Sequence, residues 1–268
     1  NMPLRATALA GAQFDRLQVY RRLPWGRLAQ LHLLDDRQYR ALQACRKPGA
    51  TNAGSVRPAD CAELADPARS LLGPAQEQWL DAGLAADAKS DHTRWSVLAQ
   101  QTLFSPRRYP SGQVAADGWD GYPAARERLL QSVQRHSPRN TVLLGGDIHQ
   151  NYVCNVHAPG AGGDRPVLAS EFCGTSISSR AGTTQDKVDA IARHNPHVLL
   201  ARCEERGYGL ADITPEQWTT TLRAVDNPLD PHSSAHTLAR FVVQDRKPGP
   251  GRACARARTT RLPGGVQP

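Results

Sequence analysis

Asp147 and His149 stand two positions apart in the run Thr141-Val-Leu-Leu-Gly-Gly-Asp-Ile-His-Gln-Asn151. A carboxylate offers a hard oxygen and an imidazole a borderline nitrogen, a pair of donors that suits a transition-metal site. The residues ahead of the glycines read as a buried strand, and side chains two apart at a strand end point the same way. Both groups are therefore expected to converge on one spot. Gly145 and Gly146 would let the backbone turn sharply and approach whatever is bound there. The competing reading is a plain turn after a strand, capped by His149.

Three further runs carry candidate chemistry. In Leu34-Asp-Asp-Arg-Gln-Tyr-Arg40, two arginines follow an Asp pair where a strand gives way to a turn. Arg37 or Arg40 could grip a phosphate with paired hydrogen bonds while an Asp steadies the guanidinium. Alternatively, an internal Asp35–Arg37 or Asp36–Arg40 pair fixes the turn. Asp117-Gly-Trp-Asp-Gly-Tyr122 leads into a helix at Pro123. Asp120 could cap that helix while Trp119 and Tyr122 pack, or the turn could form the rim of a site. Glu171-Phe-Cys-Gly-Thr-Ser-Ile-Ser-Ser179 sets hydroxyls after a strand, where they could meet an anion or serve a turn.

The elements that must position these residues alternate between strand and helix patterns. Leu17–Tyr20 and Leu28–Leu34 read as strands joined at Pro24-Trp25-Gly26. A helix opens at Gly73-Pro74, with Ala75, Trp79, Leu80, Gly83 and Leu84 on one face. Arg94–Gln100 is a strand, and the helix from Pro123 shows Arg126, Leu129, Leu130 and Val133 on one face. Strands follow at Thr141–Leu144, Tyr152–Val156 and Pro166–Phe172, then a short helix over Gln185–His194. Val198–Cys203, Gly207–Ile213 and Thr237–Val243 are the last strands, with a helix expected from Pro215. This is an α/β pattern with some antiparallel pairing.

Hydrophobic residues make up 40% of the chain and charged ones 22%, as in an ordinary globular protein. No apolar stretch is long enough to span a bilayer, and the first residues lack a signal-peptide core. The net charge of +8 comes largely from arginine. Arg252, Arg256, Arg258 and Arg261 lie among Gly, Pro and Ala, so 247–268 reads as a disordered basic tail behind a folded 1–246. Zinc-finger spacings, basic aromatic-interleaved helices and RNA-binding signatures are missing, which argues against specific nucleic-acid binding. Cys45 and Cys61 flank a polar loop, Arg46 to Asp60, and are either a disulfide staple or two unrelated thiols. Cys154, Cys173 and Cys203 lie in apolar runs as small buried hydrophobes.

In order and spacing, these runs resemble the alkaline phosphatase D (PhoD-like) family of metallophosphoesterases. The resemblance extends from Met2-Pro-Leu-Arg5 to about Pro250. It includes Leu34–Arg40, Leu72-Gly-Pro-Ala-Gln-Glu-Gln-Trp-Leu80, Asp117–Tyr122, Gly146-Asp-Ile-His149, Glu171–Ser179 and Arg206-Gly-Tyr208 with Trp218 downstream. It implies a sandwich of two mixed sheets flanked by helices, and hydrolysis of phosphate mono- or diesters at paired metals. Calcium, with iron in some members, is the implied cofactor. Asp147 and His149 become metal ligands, Arg37 with Asp35 a phosphate contact or support, and Trp119 a rim residue. The resemblance also implies export, commonly by the twin-arginine route, which fits a Cys45–Cys61 disulfide.

One departure stands out. The family carries a Gly-Asp-Tyr segment and an Asp-His-Glu segment upstream of the Met-Pro-Leu-Arg run, and here the chain begins at that run. The expectation is therefore the C-terminal portion of such an enzyme, without the N-terminal elements of the fold and without the remaining metal ligands. An inactive truncated form or a non-catalytic polyanion-binding scaffold is the alternative. No oligomeric state is implied.

Overall fold

The computed structural model describes residues 17–90, 93–160 and 165–253. In chain order its elements begin with β1 (Arg21–Trp25), β2 (Ala29–Leu33), β3 (Ser55–Val56), α1 (Pro74–Lys89), β4 (Trp95–Ala99) and β5 (Val114–Ala115). Next come α2 (Pro123–His136), β6 (Thr141–Gly145), β7 (Asn151–His157), β8 (Val167–Cys173), α3 (Gln185–Arg193) and β9 (Val198–Arg202). The last described elements are β10 (Arg206–Ile213), β11 (Gln217–Val225), β12 (Ala235–Gln244) and β13 (Lys247–Arg252).

Seven strands form one mixed sheet in the order β1-β2-β4-β6-β8-β7-β9, and β10 to β13 form an antiparallel meander. The central strands β2, β4, β6 and β8 are mutually parallel. Successive residues on β4 and β6 point into different layers. Val97 and Val142 join Trp218, Leu222 and Phe241 of the meander in one cluster. Leu98 and Leu143 join Leu80 and Leu84 of α1 and Leu129, Leu130 and Val133 of α2 in another. Burial on both faces is why these strands read as continuous apolar runs. The sandwich is thus sheet on sheet, with helices on the outer face of the larger one.

Proline at the first position starts both α1 and α2, where its missing N–H costs nothing. Two polar residues of α1 also face inward. Asp87 accepts from Arg22 of β1, from His32 Nε2 of β2 at 2.7 Å, and from Ser96 Oγ of β4 at 2.8 Å. Gln76 meets the loop after β2 through its carboxamide, accepting from Asp35 N at 2.8 Å and donating to Asp35 O at 2.8 Å.

Cys45 and Cys61 are joined, with Cα atoms 5.9 Å apart and a sequence separation of 16. The bridge closes a loop whose small core holds only Ala44, Cys61, Leu64 and Val114 with Val56 beside them. So little apolar surface cannot by itself offset the entropy of ordering the loop. Replacing both cysteines by serine is expected to lower the unfolding free energy by ~3 kcal/mol. Superimposable urea curves for the wild type and the double variant would contradict this.

Three expectations from the sequence need correction. The first strand is not Leu17–Tyr20, which is coil with only Tyr20 half-buried, but Arg21–Trp25; the turn follows at Gly26. Pro215 starts no helix. It lies in the turn between β10 and β11, closed by Thr214 N donating to Gln217 O at 2.9 Å. Trp218, Thr220, Leu222 and Ala224 are then buried in alternation, a strand period that prevails over the proline signal. The basic tail does not begin at Lys247. Residues 247–252 form β13, paired with β12 and tied to β8 by Gly249 N donating to Ser170 Oγ at 3.0 Å. Pro248 and Pro250 are tolerated because β13 is an edge strand. The arginines at 256, 258 and 261, and Met2–Arg5, lie outside the described residues.

Candidate functional site

Register places the ends of the parallel strands level with one another: Leu33 pairs with Ala99, Ala99 with Leu144, and Gly145 with Cys173. Four loops therefore leave the sheet side by side, beginning at Leu34, Gln100, Gly146 and Gly174. In open α/β sheets, ligands bind outside the carboxyl ends of the strands. The candidate residues are on these loops. The loops are also packed tightly, since a Cβ on Gly145 would lie 2.2 Å from Thr102 O. The close approach that requires glycine at position 145 is to the protein's own backbone.

Asp147 is exposed, and its carboxylate accepts from Arg37 Nη2 at 2.5 Å. Arg37 also donates through Nη1 to Asp117 at 2.9 Å, while Arg40 Nη1 donates to the same carboxylate at 2.8 Å. Burial acts to raise the Asp117 pKa, but hydrogen bonds from Arg40 and Arg37 outweigh it and hold the group below its ordinary value. Asp36 is fully buried beside them. Neither of its carboxylate oxygens has a hydrogen-bond partner, and the Arg37 Nε contact is 3.6 Å. Burial pushes the Asp36 carboxyl up to about 6, against the pull of Arg37.

His149 is half-buried, and its Nδ1 lies 2.9 Å from Arg180 O. A carbonyl can only accept, so Nδ1 carries the proton and the lone pair is on Nε2. Metal-binding histidines are commonly oriented through such a contact. Asp147 and His149 are not placed by strand alternation. β6 ends at Gly145, and both residues have left-handed backbone, with φ of 66° and 57°.

The loop after β4 completes the site. Buried Glu171 accepts from the backbone N–H of Phe104 at 2.6 Å and of Ser105 at 2.8 Å, fixing this loop against β8. Burial raises the Glu171 pKa, opposed by those donors. The loop walls a cleft of about 190 Å³, lined among others by Thr102, Arg107, Asp117, Trp119 and Asp147. The arginine in that wall, Arg107, is over the Tyr109 ring at 5.6 Å.

A family model described as PhoD-like phosphatase matches residues 1–222. The chain belongs to the PhoD-like phosphatase family. It is 35% identical over 273 residues to alkaline phosphatase D of Bacillus subtilis (strain 168), a match spanning 100% of this chain and 43% of that protein. A solved structure of PhoD superposes with a TM-score of 0.80 at 34% identity, covering 96% of this chain and 47% of that one. The chain thus spans about half the length of the relatives it matches.

In this PhoD-like chain the structure brings Arg37 and Asp147 together across 110 positions. Asp35 meets Arg37 through the Arg37 backbone and not its guanidinium. Asp35 is 4% exposed, and its Oδ1 accepts from the backbone N–H of Arg37 at 3.0 Å and of Gln38 at 2.9 Å. It caps the turn that aims Arg37. Trp119 is 1% exposed, donates to Gln100 Oε1 at 3.1 Å and packs edge-on against Phe104. It backs the cleft from within the core. Asp120 caps no helix; it accepts from Arg107 N at 2.8 Å and from Arg126 at 2.5 Å. The hydroxyls of Thr175 and Ser176 are occupied internally, next to Arg206. The sequence marks Asp36, Asp117 and Glu171 only as members of candidate runs and does not mark Arg107. Asp36 and Arg107 lie in the loops that leave β2 and β4, and that placement was the signal that could have found them.

Asp36 gives a pH prediction for the metal-free protein. Its folded pKa is raised above the unfolded value, so stability is greatest below pH ~4 and falls as pH rises to ~6, where the buried carboxyl ionises. A rise from 3.8 to about 6 corresponds to ~3 kcal/mol. In chelator, Asp36→Asn is therefore expected to stabilise the chain by up to ~3 kcal/mol above pH ~6 and to have no effect below pH ~4. A gain independent of pH across urea titrations would contradict this origin.

Proposed function

We propose that this chain supplies part of the active site of a metal-dependent phosphoester hydrolase acting on mono- or diesters. The carrying observation is the placement of Asp147 and His149 at the carboxyl ends of level parallel strands. The Asp147 carboxylate is exposed and held by a guanidinium, and the His149 Nε2 lone pair is left free by the Nδ1 contact. Both donors fit a metal: the carboxylate suits calcium and the imidazole suits iron. Among the described residues no cluster of three or more His, Cys, Asp or Glu side chains could hold an ion. A metal held there would polarise a phosphoryl oxygen and lower the pKa of a water.

The chain's own side chains do the rest. Arg37 is anchored on Asp117 through Nη1, so Nη2 becomes a donor to a phosphate oxygen whenever Asp147 is otherwise engaged. The cleft walled by Arg107 and Trp119 receives the esterified group. A polyanion-binding scaffold is disfavoured by the match to a phosphatase family model over residues 1–222. The disulfide supports an exported enzyme, since such bridges persist in oxidising compartments. Among the described residues no helix is long and apolar enough to cross a membrane.

The test is hydrolysis of p-nitrophenyl phosphate and bis-p-nitrophenyl phosphate in calcium and iron. The chain should turn over near background alone, because two ligands hold metals weakly. It should gain chelator-sensitive activity when supplemented with the part of alkaline phosphatase D that it does not match. Inactivity of both preparations would refute the function. Robust turnover by the chain alone would show that more of the site is here than Asp147 and His149.

A further inference from the structure

Arg206 opens β10, is 7% exposed, and pairs with no carboxylate among the described residues. A guanidinium so buried must find its acceptors elsewhere. Its Nη1 sits among four oxygens: His149 O at 3.1 Å, Thr175 Oγ1 at 3.3 Å, Ser176 Oγ at 3.0 Å and Ser179 O at 2.8 Å. Its Nη2 donates to Cys203 O. Two of these acceptors bear on one imidazole. One is the carbonyl of His149 itself; another is the carbonyl of Ser179, adjacent to Arg180, whose own carbonyl faces His149 Nδ1 at 2.9 Å.

We infer that Arg206 is a positioning residue for His149, clamping both ends of the hydrogen bond that keeps the proton on Nδ1 and presents Nε2. This rests on the proposal that His149 is a metal ligand. The ring's acceptor belongs to a turn at 176–180, not to regular structure, and two atoms of that turn, Ser176 Oγ and Ser179 O, contact the guanidinium. Thr175 Oγ1 and Gly207 N reinforce the clamp, at 3.2 Å from His149 O and 3.1 Å from Ser176 O. Without the guanidinium, His149 and Arg180 would be free to separate, and the ring could take either tautomer.

Two readouts separate this role from a merely structural one. The first is the pair of ¹⁵N ring shifts of His149 in the metal-free chain, which report the tautomer directly. The second is calorimetric affinity for calcium and for ferrous ion. The wild type should show the Nδ1–H tautomer. Arg206→Met should show a tautomer mixture and bind metal roughly 10–100-fold more weakly, the usual cost of losing a group that orients a ligand. Arg206→Lys, able to reach part of the acceptor set, should fall between. A folded Arg206→Met variant with the wild-type tautomer and affinity would overturn the inference. If that variant does not fold, the same result for Arg206→Lys overturns it. Should the wild-type chain bind metal no differently from His149→Ala, the ligand assignment fails, while the tautomer comparison still decides the role of Arg206.

Discussion

Replacing His149 by alanine is expected to weaken metal binding by roughly 100-fold or more, with turnover falling in step. Loss of a group that only orients a ligand already costs 10–100-fold, so loss of the ligand itself should cost at least the upper end of that range. The methyl group of alanine has no lone pair to substitute. His149 touches the fold through its Nδ1 contact to Arg180 O and sits on a loop, so the variant should still fold. Calorimetric titration with calcium and ferrous ion, alongside a thermal melt, checks both statements. Turnover is compared in whichever preparation of the chain, alone or supplemented, is active. Affinity and rate within twofold of the wild type would remove His149 from the site.

A second large effect is expected far from the chemistry, at Asp87. This carboxylate is 3% exposed and is shared by Arg22, His32 and Ser96. His32 is fully buried and already has one ring nitrogen, Nδ1, without a partner. Asp87→Ala would leave the other nitrogen unpaired too, and would strand the Arg22 guanidinium at the seam of β1, β2 and α1. Removing one member of a buried charged network costs ~3–5 kcal/mol. Room to adjust is small, because a Cβ on Gly83 would lie 2.8 Å from His32 Cε1. Urea denaturation is the measurement. A loss below ~1 kcal/mol would mean that water or a rearranged Arg22 takes over the role.

The strands and helices that build the two core layers were legible because their burial is periodic. Leu80 and Leu84 on α1, and Leu129, Leu130 and Val133 on α2, all lie in the layer their spacing implied. β11 and β13 were not. Pro215 looked like a helix start, and Lys247–Arg252 carries too few side chains to show a period; its order comes from backbone pairing. At the candidate site, residue types could be read while geometry could not. Asp147 and His149 point as they do because of left-handed backbone after β6, which no alternation rule anticipates. The contacts of Arg37 with Asp117 and Asp147 span 80 and 110 positions, so only strand order and register bring them together. The unpaired state of Asp36 is likewise a property of packing, invisible in an Asp-Asp pair on paper.

The most direct test of the account is to locate a metal in this chain. Crystals grown with iron and measured at its absorption edge should show an anomalous peak within bonding distance of His149 Nε2 and the Asp147 carboxylate. Arg37 should then be drawn off Asp147 and still held by Asp117. A peak bound elsewhere, or none while Arg37 remains on Asp147 at saturating metal, would contradict the proposal that this loop is one edge of a metallophosphoesterase site.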